Sequence, residues 1–188
     1  MSNEDRWLLR AEERGNRFTT IDRSRPDGAG WTAGNRVEPL IHGATYFARL
    51  LERLQALHEG DRVLITDWRG DDDELLAPDG PTLGGMLCDL ARRGVEIRGL
   101  LWRSHPKLFG FNQEEDRELV RVVNAAGGDL RLDERVRRGG SHHQKLVVLL
   151  HRDRPEADVA FVGGIDLCHG RRDDERHDGD PQAERLDP

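Results

Sequence analysis

Cysteine is nearly absent from this 188-residue chain: Cys88 and Cys168 are the only two, with no C-x-x-C spacing, and they cannot build a disulfide framework. Long apolar runs are missing as well. Stretches such as Leu146 to Leu150 fall far short of the ~20 residues that a membrane span needs. The start, MSNEDRWLLRAEER, is acidic and has no basic-then-apolar order, so no secretory signal is read there and a cytoplasmic location is expected. Aromatics are only 5% of residues, and the formal charge is −7, from 29 basic and 36 acidic side chains. That balance argues against a protein that coats nucleic acid through bulk charge. With charged residues at 35% and apolar ones at 36%, the core is modest and some segments stay solvated. The length suits one domain, or one half of a larger structure.

What is present has a clear order. Residues 1–36 are polar and punctuated by Pro26, Gly28, Gly30 and Gly34, the composition of a loop-rich segment. Phe47, Leu50, Leu51, Leu54 and Leu57 recur at three- and four-residue spacing, which predicts an amphipathic helix over 43–58, closed by Gly60. DRVLITDW (61–68) reads as a buried strand. GDDDE (70–74) opens a loop; its carboxylates lack the alternating ligand positions of a calcium loop, so a solvated loop is expected. A helix around Leu83 to Leu90, a strand over 95–102, a helix from Gln113 to Ala126 and a strand near 129–132 follow. Two further strands, 145–150 and 159–162, close the pattern. Strands alternating with helices predict an α/β fold with a mostly parallel sheet flanked by helices, carried by residues 37–170. From Arg171 the chain holds seven acids and four bases, with Ala183 and Leu186 its only apolar side chains, so 171–188 is expected to be a disordered tail.

The segment with chemistry is GGSHHQKLVVLLHRDRPEADVAFVGGIDLCHGRRDD (139–174). His143 and Lys145 are two apart, so on a strand they share a face. A neutral imidazole serves as nucleophile or base, and an ammonium beside it holds an anion. Between 131 and 152 bases outnumber acids six to two, a positive patch suited to a phosphate or other small anion. Gly163 and Gly164 end the second strand where a missing side chain lets a ligand approach the backbone. Trp68 and Trp102 fall at strand ends, where a parallel sheet faces its ligands, so each is either a pocket wall or core. His142, His151, Cys168 and His169 have no zinc-finger spacing, and Ser141 lacks a G-x-S-x-G elbow, so neither a metal site nor a serine hydrolase is read.

HHQKLVVL followed by DVAFVGGIDLCHGRRDD resembles the first catalytic motif of the phospholipase D superfamily, H-x-K-x(4)-D with G-G or G-S a short way on. The helix–DRVLITDW–helix–VEIRGLLW layout is similar to the N-terminal half of two-motif phospholipases D, and the resemblance covers residues 37–175. It implies one phospholipase D-like lobe acting on phospholipid phosphodiesters through a phosphohistidine, with no metal or other cofactor. It implies that His143 is the nucleophile or acid and Lys145 the phosphate ligand, with His142, Gly163, Gly164 and Asp166 around them. Asp166 stands where the family has Asn or Ser. Leu150 stands where the motif aspartate belongs, leaving Asp153, Asp158, Asp166 or Asp173 to replace it. H-x-K occurs at His105–Lys107 and at His143–Lys145, but only the second leads into an apolar strand pair with a G-G end, so the chain looks like a half that needs a second lobe, from a second copy or from another chain. Two alternatives remain: an inactive half that binds phosphate or lipid, and a phosphodiesterase acting on nucleic acid. The net charge and scarce aromatics weigh against the latter.

Overall fold

The computed structural model describes residue 13 and residues 30–103, 113–137 and 139–182. The chain divides into two units, residues 1–39 and 40–188. In the first, Asn35 closes a short turn by donating from Nδ2 to the Thr32 carbonyl at 2.7 Å. The second unit carries the sheet and its helices.

Helix α1 (Gly43–Gln55) forms around one apolar stripe, with Tyr46, Phe47, Leu50 and Leu54 buried. Strand β1 (Arg62–Asp67) follows, then α2 (Leu83–Arg92), where the Thr82 hydroxyl accepts the Gly85 N–H at 3.0 Å as an N-cap. Next come β2 (Glu96–Trp102), α3 (Gln113–Ala125), β3 (Asp129–Asp133), β4 (Leu146–Leu150) and β5 (Val159–Val162). The strand order is β3-β2-β1-β4-β5. The β1–β2 and β2–β3 pairs are parallel, joined through helical crossovers; the β1–β4 and β4–β5 pairs are antiparallel. The α/β fold read from the sequence is therefore the one formed, with a mixed sheet. Its antiparallel half arises because β4 arrives from a loop and β5 folds back on it as a hairpin.

Burial alternates with period two along the strands. Val63, Ile65 and Asp67, Ile97 and Leu101, Val147 and Leu149, and Phe161 are buried. The helices cover this face: Tyr46 of α1 meets Phe161 edge-to-face at 5.6 Å, and Leu119 of α3 crowds Gly70 together with Leu101 of β2. The alternate set, which includes Leu64, Thr66, Leu100, Val148 and Val162, is half-buried or exposed. Val162 is 76% exposed.

The segment after β5 corrects two expectations. Residues 171–182 do not float free. Arg172 is buried, with Nε 3.2 Å from Glu74 and Nη2 3.3 Å from Asp180. The Gln182 amide donates to the Asp73 carbonyl at 2.8 Å and accepts the Leu75 N–H at 2.7 Å. The partner of this segment is the acidic 70–74 loop, which is not solvated: Asp71 and Glu74 are fully buried. Burial and the neighbouring Asp180 push the Glu74 carboxyl up to about 8, against the pull of Arg172. Each stretch is too charged to bury alone, but complementary partners bury together. Residues 183–188 lie outside the described residues.

Gly43 fixes how closely this segment approaches α1. A Cβ there would sit 1.5 Å from the Arg171 carbonyl oxygen, next to the point where the Ala44 N–H donates to the Asp173 carbonyl at 3.0 Å. Gly43→Ala must therefore push 171–173 off the helix. The expected loss is about 1–3 kcal/mol in urea denaturation, with faster proteolysis inside 171–182. Unchanged stability and cleavage would show that the contact is dispensable.

Candidate active site

The buried phase of β1 runs Val63, Ile65, Asp67, and that of β4 runs back from Leu149 through Val147 to Lys145. Extending the β1–β4 register one step past Thr66↔Leu146 sets Asp67 opposite Lys145. Extending the β4–β5 register past Leu146↔Val162 sets Gly163 on the other side of the lysine. The turn after Gly164 then brings in Asp166. Lys145 Nζ lies 2.7 Å from Asp166 Oδ1, with 5% of each side chain exposed. The angle departs from hydrogen-bond geometry, so the pair is held by charge. Nζ also sits 5.5 Å from the centre of the Trp68 ring, a cation–π distance. Of the 29 basic residues, Lys107 and Lys145 are the only lysines, so an ammonium here stands out against a background of guanidinium groups.

Asp67 closes the other side. Its Oδ1 accepts the Trp68 N–H at 2.7 Å and its Oδ2 accepts the Leu167 N–H at 3.3 Å. Burial, and then the charge of Asp166, push this carboxyl up to about 8. Tyr46 of α1 is the chain's single tyrosine. Burial, followed by Asp67 and Asp166, drives its phenol above the ordinary range.

His143 is exposed at the mouth, its ring edge-on to Trp68 with centroids 5.6 Å apart. Trp68 thus touches both members of the H-x-K pair, and Trp102 stacks on it at 5.7 Å and 16°. Both tryptophans wall the site. His142 turns away from His143, its Nε2 3.5 Å from Asp133 at the end of β3. The Arg135 guanidinium holds that carboxyl well below the usual range. His142, Asp133, Trp102, Gln144 and Asp67 line a cavity of about 230 Å³. Gly163 and Gly164 are exposed, and a Cβ on either would meet nothing within 4 Å, leaving open ground beside Lys145.

The acids proposed to replace the motif aspartate separate cleanly. Leu150 pairs with Arg62 at the opposite end of β1. The five residues of β4 put that end ~16 Å from the site. Asp158 lies there, accepting the His151 N–H at 2.7 Å, and Asp153 belongs to the same hairpin connection. Asp173 pairs with His177 Nδ1 at 2.8 Å. Asp166 is the one in contact with Lys145. Elsewhere, burial pushes the Cys168 thiol up to about 12, which leaves it inert. His169 lies 3.2 Å from Asp71 and 3.1 Å from Asp73. Among the described residues, no group of three or more His, Cys, Asp or Glu is arranged to hold a metal ion.

No family model matches the chain. It is 29% identical over 154 residues to phospholipase D C of Dictyostelium discoideum, across 74% of this chain and 8% of that protein. It is 28% identical over 138 residues to phospholipase D2 of Bos taurus, across 71% and 14%. Phospholipase D zeta 2 of Arabidopsis thaliana is 25% identical over 152 residues, across 77% and 14%. The chain is related to the phospholipase D superfamily. It spans between 8% and 14% of the length of these three relatives.

In this phospholipase D-related lobe, sequence reasoning missed Asp67, Tyr46 and Asp133. Asp67 had a usable signal: it continues the Val63–Ile65 buried phase, and a carboxylate in a core position needs a partner. Tyr46 and Asp133 had none, since each meets its partners through tertiary packing. The contrast between the two motif residues is directly testable. His143→Ala removes an exposed ring and should change stability by less than about 0.5 kcal/mol. Lys145→Ala leaves Asp166 buried without its cation and should cost about 3 kcal/mol in denaturant titrations. Equal effects would contradict the placement.

Proposed function

We propose that the chain supplies one half of a phospholipase D-type site that hydrolyses or transfers phospholipid phosphodiesters. The observation that carries the reading is the arrangement of exposed His143 and buried Lys145 against one Trp68 ring, in a chain related to phospholipases D. The imidazole of His143 attacks phosphorus, and the new P–N bond forms as the P–O bond to the head-group alcohol breaks. The departing oxygen takes its proton from an acid on a second lobe. Water then attacks phosphorus, the P–N bond breaks, and phosphatidate leaves with His143 regenerated. An alcohol in place of water gives transfer. Lys145 balances the charge on the phosphoryl oxygens in a site screened from water by the two tryptophans. The glycine pair leaves room for the substrate, while His142 and Asp133 build the cavity wall.

A second lobe completes the site, and the half-exposed sheet face with Val162 supports a partner there. No helix among the described residues is long and apolar enough to cross a membrane. A second reading, a phosphate- or lipid-binding module without turnover, is favoured by the closure of the Lys145 ammonium onto Asp166.

Choline release from phosphatidylcholine vesicles by the purified chain, beside His143→Ala, separates these readings. Release that vanishes in the variant, and rises more steeply than linearly with protein concentration, fits a site completed by a second copy. Vesicle binding with no release from either protein fits the binding module. Release that survives in His143→Ala would reject the assignment of the nucleophile.

A further inference from the structure

We propose that Asp67 is a positioning residue of the phosphate site: it shares a single proton with Asp166, so that Lys145 meets one negative charge instead of two and keeps its attraction for a phosphodiester. This inference rests on the reading of Lys145 as the phosphate ligand.

The geometry is unusual for a cation meant to bind an anion. Lys145 Nζ is already 2.7 Å from a buried carboxylate, and a second acid stands opposite it across the β1–β4 ladder. If both acids were ionised, the trio would carry a net charge of −1 and repel phosphate. One shared proton makes it neutral. Three features favour sharing. Asp67 Oδ2 accepts the amide of Leu167, the residue that follows Asp166, so the two carboxyl groups lie in one buried pocket where like charges disfavour ionising both. Asp67 is anchored by the Trp68 and Leu167 amides, so it cannot swing away to relieve repulsion. Both side chains are buried, which penalises a second charge.

The groups that face this pair come from every neighbouring element. Tyr46 approaches from α1, Lys145 from just before β4, and Arg171, 3.5 Å from Asp166, from the segment after β5. Asp133 and His142 face Asp67 across the cavity. Arg171 adds positive charge on the Asp166 side, which favours placing the proton on Asp67. Asp67 rises to about 8, so the proton is retained at neutral pH and lost as pH climbs through that value. Phosphate affinity should fall with it.

The test uses the intact chain with carboxyl-13C aspartate and 15N-lysine. Only Lys107 and Lys145 give ammonium signals, which makes the reporter simple. Dimethyl phosphate is the probe, because its single charge does not change between pH 6 and 9. In wild type, one aspartate carbon should titrate near pH 8, and the chemical shift of the Lys145 signal should move as that neighbouring carboxyl changes charge. Affinity for the probe should drop by up to about tenfold per pH unit above that midpoint. Asp166→Asn should lower the midpoint. Asp67→Asn, which mimics the protonated form, should abolish the step and flatten the affinity profile, a result that a merely structural role would not give. Both carbons titrating below pH 5 would overturn the shared proton. A flat wild-type profile, or an alkaline loss that persists in Asp67→Asn, would overturn the positioning role. If the probe fails to shift Lys145 at any pH, the phosphate-site reading falls, while the carbon titration still decides whether the proton is shared.

Discussion

A buried ammonium must be neutralised from within the protein, and the neutralisation of Lys145 organises much of this structure. Its partner Asp166 lies in the chain that follows β5, so that chain must turn back immediately after the glycine pair. Holding it there requires further anchors. The Leu167 N–H ties it to Asp67, the His169 N–H to Asp71, and Arg172 to Glu74 and Asp180. These contacts explain why an acidic stretch between β1 and α2 is packed rather than solvated. The cost of burying each charge is offset only by the other, which makes the 70–74 loop and the 166–182 segment one cooperative unit. Gly43 completes the arrangement by letting the backbone of that unit lie directly on α1.

Much of this architecture is legible in the sequence, and the limits of legibility have a physical pattern. Elements whose signal is local were found within a few residues: the apolar stripe of α1, the β-branched run of β1 and the paired strands β4 and β5. His143 and Lys145, which the sequence singles out beside a glycine-ended strand pair, both lie against the Trp68 ring. What failed was inference from composition. Charge density suggested solvated loops at 70–74 and beyond 171, yet burial depends on whether a complementary partner exists elsewhere in the chain. Strand direction was the other blind spot. Alternation of strands and helices implies parallel pairing only where a helix makes the crossover, and among the described residues none lies between β3 and β4. Asp67 sat in plain view within ITDW, but its role needed the β1–β4 register.

The two motif residues are also supported differently, and this matters for the chemistry. Lys145 is locked by charge, by an aromatic face and by the strand register. His143 has Trp68 as its aromatic neighbour and otherwise faces solvent. A nucleophile must reach its substrate and then release it, whereas the group that balances charge works best when already in place. The open glycine pair and the tryptophan wall leave approach to the pair on the solvent side. The half-exposed sheet face leaves room for a second lobe. In this account, the chain provides a preorganised cation and a poised imidazole, and the leaving-group proton comes from elsewhere.

The most direct measurement of that account is the identity of the residue that carries the covalent intermediate. The chain would be incubated with short-chain phosphatidylcholine, quenched in alkali to preserve P–N bonds, and mapped by mass spectrometry. The account predicts a phosphatidyl adduct on His143 and on no other residue. An adduct on a different side chain, or turnover that proceeds with none on His143, would contradict it.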